Sequence, residues 1–212
     1  MLNMKPLILF YFLVLAFTAI GQDNTQTLTL DDPRIQELLK QAQDTRSLSA
    51  GFTQEKHMQV LEEPMISQGV FKYERPGRLR WQVETPEPMV AVVNGTSVKI
   101  HEKDKLRAPS AAERQMFIAV TDLITNIISG NAMDGKEMEP AFQIEGDELF
   151  VELVPKAGRA VGRLDRINLL FNTDDMLLRE LHMIQPKGDH TLILFHDARR
   201  DVEHPEGTFD LQ

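Results

Sequence analysis

A chain of 212 residues with 32 acidic and 23 basic side chains carries a formal net charge of −9 and contains no cysteine. The missing thiols exclude disulfides, thiolate nucleophiles, zinc ribbons and iron–sulfur clusters, and the lack of any Lys/Arg cluster argues against a nucleic-acid surface, which needs a basic stripe. Hydrophobic residues at 42% and charged residues at 26% are the values of a chain that folds, with a length that suits one domain.

The first 21 residues read as an address. Lys5 precedes an unbroken apolar run over 7–15 that continues to Ile20, and Ala19-Ile20-Gly21 places small residues before Gln22. A basic start, a short apolar run and an A-x-A-like site define a secretory signal peptide. The run is short of the roughly 20 residues that span a bilayer. The expectation is a cleaved signal over 1–21 and one exported domain over 22–212, without a lipid anchor because no cysteine follows the cut.

Asp32-Pro33 then predicts a helix start, Asp as N-cap and Pro at a position whose missing N–H costs nothing. Ile35, Leu38, Leu39 and Ala42 fall on one face, and the pattern stops near Thr45. Beyond it the apolar period changes from 3.6 to 2. Residues 48–54, 69–75 and 79–84 alternate as strands, the last two joined by Pro76-Gly77. Residues 89–93 and 96–101 flank Asn94-Gly95, a strong hairpin signal. Ser110-Ala111-Ala112-Glu113 has the form of a capping box. It opens a helix whose apolar stripe is Met116, Phe117, Val120, Leu123, Ile124, Ile127 and Ile128, with a stop at Gly130. Strands resume at 142–144, 149–154, 164–172, 176–185 and 190–197. Short turns join them, so neighbours run antiparallel, and roughly nine to eleven strands should curl into a barrel or half-barrel.

No motif for catalysis stands out: G-x-S-x-G, the P-loop, H-E-x-x-H and S-x-x-K are all absent. The six histidines are scattered over strands and turns, so no metal and no cofactor is expected. Acidic pairs such as Asp174-Asp175 and Glu62-Glu63 read as solvated turns, although any two carboxylates could meet in space. Arg75 follows Phe71 and Tyr73 on one face of its strand. On spacing alone it either ends the strand in solvent or is held among apolar groups, where it needs partners.

Two runs carry a resemblance. Ser47-Leu48-Ser49-Ala50-Gly51-Phe52-Thr53-Gln54 fits S-x-x-A-x-F-x-Q. Gly69-Val70-Phe71-Lys72-Tyr73-Glu74-Arg75-Pro76-Gly77-Arg78-Leu79-Arg80-Trp81 fits G-x-F-x-x-x-R-P-G-x-[FL]-x-W, with Pro86 and Val92-Val93-Asn94-Gly95 following. Over residues 33–100 the chain resembles the outer-membrane lipoprotein carrier family (LolA-like). The resemblance implies a mainly β fold with α, an unclosed antiparallel β-barrel capped by helices around an apolar cavity. It also implies a monomeric periplasmic carrier, not an enzyme, that takes acylated lipoproteins from an inner-membrane ATP-driven exporter to an outer-membrane acceptor.

On that reading Phe52, Phe71, Tyr73, Leu79, Trp81, Met89 and Ala91 are the candidate cavity wall, by their alternation. Met116, Phe117, Val120, Leu123, Ile124 and Ile127 are the candidate lid. Arg75 corresponds to the arginine of the family's Arg-Pro pair, which bonds to helix or loop groups when the lid is shut. Two alternatives stay open: a carrier of another lipid or lipidated molecule on the same fold, and a periplasmic hydrolase that uses carboxylates without a recognisable motif.

Overall fold

Each helix begins where its cap dictates. In the computed structural model, which describes residues 25–103, 105–156 and 164–211, helix α1 spans Pro33–Asp44 and helix α2 spans Ala111–Ile128. The Asp32 side chain accepts from the Arg34 N–H at 2.9 Å. The capping box at Ser110 is complete, with Ser110 Oγ accepting from Glu113 N–H at 3.2 Å and Glu113 Oε2 from Ser110 N–H at 2.8 Å. Side chains at N-caps satisfy N–H groups that have no partner inside the helix. The expected signal segment over 1–21 lies outside the described residues.

Twelve strands form one antiparallel sheet among the described residues: β1 (Gln26–Leu28), β2 (Ser47–His57), β3 (Met65–Glu74), β4 (Arg78–Thr85), β5 (Met89–Asn94), β6 (Ser97–Glu102), β7 (Lys105–Arg107), β8 (Met138–Glu145), β9 (Glu148–Pro155), β10 (Arg166–Asn172), β11 (Leu178–Ile184) and β12 (His190–Arg200). Alternation in the sequence predicts slightly fewer. The additions β1 and β7 are three-residue edge strands, too short to show a period of two. In space the order is β1-β8-β9-β10-β11-β12-β2-β3-β4-β5-β6-β7. Two meanders, β2 to β7 and β8 to β12, are thus joined by the pairing of β12 with β2, in which Phe195 stands opposite Phe52 and His190 opposite His57. The sheet is not closed, for β1 and β7 are its two edges.

That order determines where the helices go. The chain leaves β7 at one edge and re-enters at β8, next to the other edge, so α2 must cross the sheet. Likewise α1 carries the chain from edge strand β1 to central strand β2. Both bury their apolar stripes on the inner face: Ile35 and Leu38 of α1, and Phe117, Leu123, Ile124 and Ile127 of α2, are buried. Beneath them Phe52 stacks on Trp81 with ring centroids 4.1 Å apart, and Trp81 meets Phe71 edge-on at 6.0 Å. Such pairs add about 0.5–1.5 kcal/mol beyond their buried area.

Among the described residues, the Tyr73 hydroxyl is one of four buried side-chain polar atoms without a hydrogen-bond partner. Tyr73 itself is fully buried. An orphaned buried hydroxyl costs about 1–3 kcal/mol. Tyr73→Phe is therefore expected to raise stability by about 1 kcal/mol in urea unfolding. A clear loss would contradict the burial argument.

Candidate functional site

Between the inner face of the sheet and the two helices lies an apolar cavity of about 80 Å³. Leu38 and Ala42 of α1 and Ile124, Ile127 and Ile128 of α2 form its roof. Ala50 of β2, Phe71 of β3, Phe171 of β10, Leu181 of β11 and Phe195 of β12 form its floor. A cavity of about 150 Å³ holds a benzene molecule, so this one is too small for a long acyl chain.

The structure distributes the expected wall residues between cavity and packed core. Phe71 lines the cavity, whereas Phe52, Tyr73, Leu79, Trp81 and Ala91 are buried in the core beside it. Met89 is partly buried and lines a separate depression with Pro86, Pro88 and His101. Among the expected lid residues, Ile124 and Ile127 line the cavity, Phe117 and Leu123 are buried, and Val120 packs against the core partly buried. The Met116 side chain lies outside the described residues. Sequence reasoning misses the far wall, made by Phe171, Met176, Leu178, Leu181 and Phe195. Alternation marks several of them as inward, but no local pattern says that β10 to β12 come round to β2.

Arg75 is half-buried just beyond β3 and reaches the end of α1. Its Nε donates to the Thr45 carbonyl at 2.6 Å and its Nη2 to the Ala42 carbonyl at 2.9 Å. The last carbonyls of a helix lack internal partners and carry the negative end of the helix dipole. Helix α1 has no basic residue of its own in its last turn, so a guanidinium from the sheet supplies the charge. The contact ties α1 to the β3–β4 turn. Arg200 of β12 reaches the same turn of α1 from the other side, donating through Nη1 to Gln41 Oε1 and through Nη2 to the Asp175 carbonyl.

The start of α2 is held electrostatically. Arg107 of β7 donates to Glu113 at 2.8 Å and to Glu102 at 2.9 Å. Arg107 first, and then the Ser110 backbone and hydroxyl, lower the Glu113 carboxyl from 4.5 to about 2. A carboxyl with a depressed folded-state pKa contributes stability above its unfolded value and loses it as pH falls through the folded one. The α2 anchor should thus be intact above pH 4.5 and released only near pH 2. A carboxyl NMR titration of Glu113 checks this, and a midpoint near 4.5 would refute it.

Three histidines gather on the opposite face of the sheet. His57 stacks on His190 with ring centroids 4.3 Å apart, and His182 meets His190 edge-on at 5.0 Å. Burial foremost, then the neighbouring His190, His57 and Arg166, pushes the His182 pKa down. Among the described residues no three His, Asp or Glu side chains come together in a metal-binding arrangement. No described helix is long and apolar enough to cross a membrane.

Sheet, helices and cavity together define an unclosed, helix-capped half-barrel with an apolar interior. The chain belongs to the outer-membrane lipoprotein carrier family: the profile described as "Outer membrane lipoprotein carrier protein LolA" matches residues 43–212. An outer-membrane lipoprotein carrier protein of Dechloromonas aromatica is 29% identical over 168 residues, covering 78% of this chain and 77% of its relative. One from Azotobacter vinelandii is 25% identical and covers 96% of this chain and 99% of its own length. Membership sets the chain among carriers and not among enzymes. The MucA/MucB complex of Pseudomonas aeruginosa shares the fold, with a TM-score of 0.50 at 12% identity over 84% of this chain and 60% of that one.

Proposed function

We propose that this protein is a periplasmic carrier that shelters the acyl chains of lipoproteins while they cross from the inner to the outer membrane. It is exported by a signal peptide over 1–21 that is cleaved to leave one domain, 22–212. It loads from an ATP-driven exporter in the inner membrane, unloads to an acceptor at the outer membrane, and works as a monomer without cofactor. The observation that carries the reading is the apolar cavity roofed by α1 and α2, in a member of the carrier family.

Each acyl CH2 withdrawn from water is worth about 0.8 kcal/mol. A multiply acylated protein therefore cannot leave a membrane unaided, and its carrier must offer apolar area of similar size. The closed cavity is too small for that, so loading requires the helices to part and expose the core beneath. Phe52, Phe71, Tyr73, Leu79, Trp81, Met89 and Ala91 then become the wall. The α2 stripe (Met116, Phe117, Val120, Leu123, Ile124 and Ile127) is the moving side, and Arg75 is the latch. Breaking the latch on loading lowers net affinity, which makes release possible.

The test is direct. The purified exported protein is incubated with energised inner-membrane vesicles, and the soluble fraction is assayed for a lipoprotein bound to it. A stoichiometric complex is the expected result. No release, under conditions where the exporter serves another carrier, would favour a different lipid as cargo.

A further inference from the structure

Arg200 is the one charged side chain among the described residues that line the cavity. Its two hydrogen-bond acceptors, Gln41 Oε1 and the Asp175 carbonyl, are both neutral. Neighbouring carboxylates have other partners: Asp175 accepts from Arg179 and from the Leu177 N–H, and Asp201 from the Arg46 N–H. Among the described residues, then, no anion pairs with Arg200. A partly buried guanidinium beside hydrocarbon side chains gains more from an anion than from neutral amide oxygens. Its planar fork of five N–H donors also fits the paired oxygens of a carboxylate.

We propose that Arg200 is the receptor for the oxygen atoms at the root of an acyl chain, so that the cavity takes an amphiphile in one direction only. The chain runs inward toward Phe71 and Ile124, and the polar end stays at Arg200. When α1 lifts, Gln41 is carried away from the guanidinium and the ligand oxygens take its place. The binding step thus exchanges one acceptor for another and leaves no buried donor unpaired. This rests on the acyl-chain reading above. The carboxylate of a fatty acid and the ester carbonyl of an acylglyceryl group share the necessary chemistry, and the charged one should bind more tightly.

Three sixteen-carbon probes separate the possibilities: palmitate, methyl palmitate and hexadecane, each below its aggregation limit. Binding is read from the emission of Trp81, the single tryptophan, whose ring touches the cavity-lining Phe71. Palmitate is expected to bind about tenfold more tightly than methyl palmitate, because the carboxylate adds its own charge and a second acceptor oxygen to the guanidinium contact, with hexadecane weakest. Arg200→Gln should abolish the palmitate advantage and leave hexadecane affinity unreduced. Arg200→Lys, which keeps the charge without the fork, should retain part of the advantage and serves if the glutamine variant does not fold. Equal binding of all three probes to the unaltered protein, or a ranking unchanged in both variants, would overturn the assignment while leaving the carrier reading in place. If no probe binds the unaltered protein, the acyl-chain reading itself fails and Arg200 loses its role with it.

Discussion

Arg75→Leu is expected to make the empty protein less stable and the loaded one harder to empty. Arg75 gives two charged hydrogen bonds to the last turn of α1, to Ala42 and Thr45. Hydrogen bonds from charged donors contribute about 1.5–3 kcal/mol each. Losing both removes about 3 kcal/mol from the closed state, enough to raise the open fraction by about a hundredfold. If cargo binds only the open form, as the proposed function requires, its apparent affinity rises as that fraction rises. Leu also adds apolar surface where a cation stood. The variant should therefore melt at a lower temperature when empty, take up lipoprotein from vesicles normally, and fail to pass it to outer-membrane acceptor. Transfer at the unaltered rate would show that the contact does not gate release.

Gly69→Ala should cost more than any other small substitution in the sheet. An alanine Cβ at Gly69 would stand 1.9 Å from the Gln82 carbonyl oxygen and 2.8 Å from its carbon. Both atoms are β4 backbone, so no rotamer change relieves the clash and the two strands must part. The β3–β4 register shifts between Gln68 and Gly69, and the close approach belongs to that irregularity. A loss of about 3 kcal/mol or more is expected in urea unfolding. Gly51→Ala is the control. Its Cβ would meet the His196 ring at 2.0 Å, but that side chain is 58% exposed and can swing aside, for a cost of about 1 kcal/mol or less. Equal losses at the two positions would refute the distinction between backbone and side-chain obstruction. The same close approach requires a glycine at the start of the Gly69-Val70-Phe71 run.

Much of the architecture is legible in short stretches of sequence. Asp32-Pro33 and the box at Ser110 and Glu113 mark both helix starts to the residue, whereas the hairpin expected at Asn94-Gly95 turns one residue later, at Gly95-Thr96, because Asn94 still pairs with Ser97. The caps are interactions of a side chain with its own neighbouring backbone, so the local residue types suffice to specify them. Inward positions are legible for the same reason: Phe52, Phe71, Tyr73, Leu79 and Trp81, taken from alternation, are all buried. Alternation does not separate a residue that lines a void from one that packs solidly beside it.

The partners of Arg200, the far wall of the cavity and the histidine stack belong to another level. Each depends on β12 pairing with β2, which sets His190 against His57 and Phe195 against Phe52 across well over a hundred residues of chain. Nothing within either strand names the other, because a sheet edge offers the same N–H and C=O groups to any strand. Residue types and spacings alone predict an export signal, two capped helices, a run of antiparallel strands and an arginine in need of partners. Tertiary structure decides that β7 and β8 lie near opposite edges, so that α2 must cross the sheet, and that α1 ends between Arg75 and Arg200. The cavity is what remains where those surfaces, remote in sequence, meet without filling the space between them.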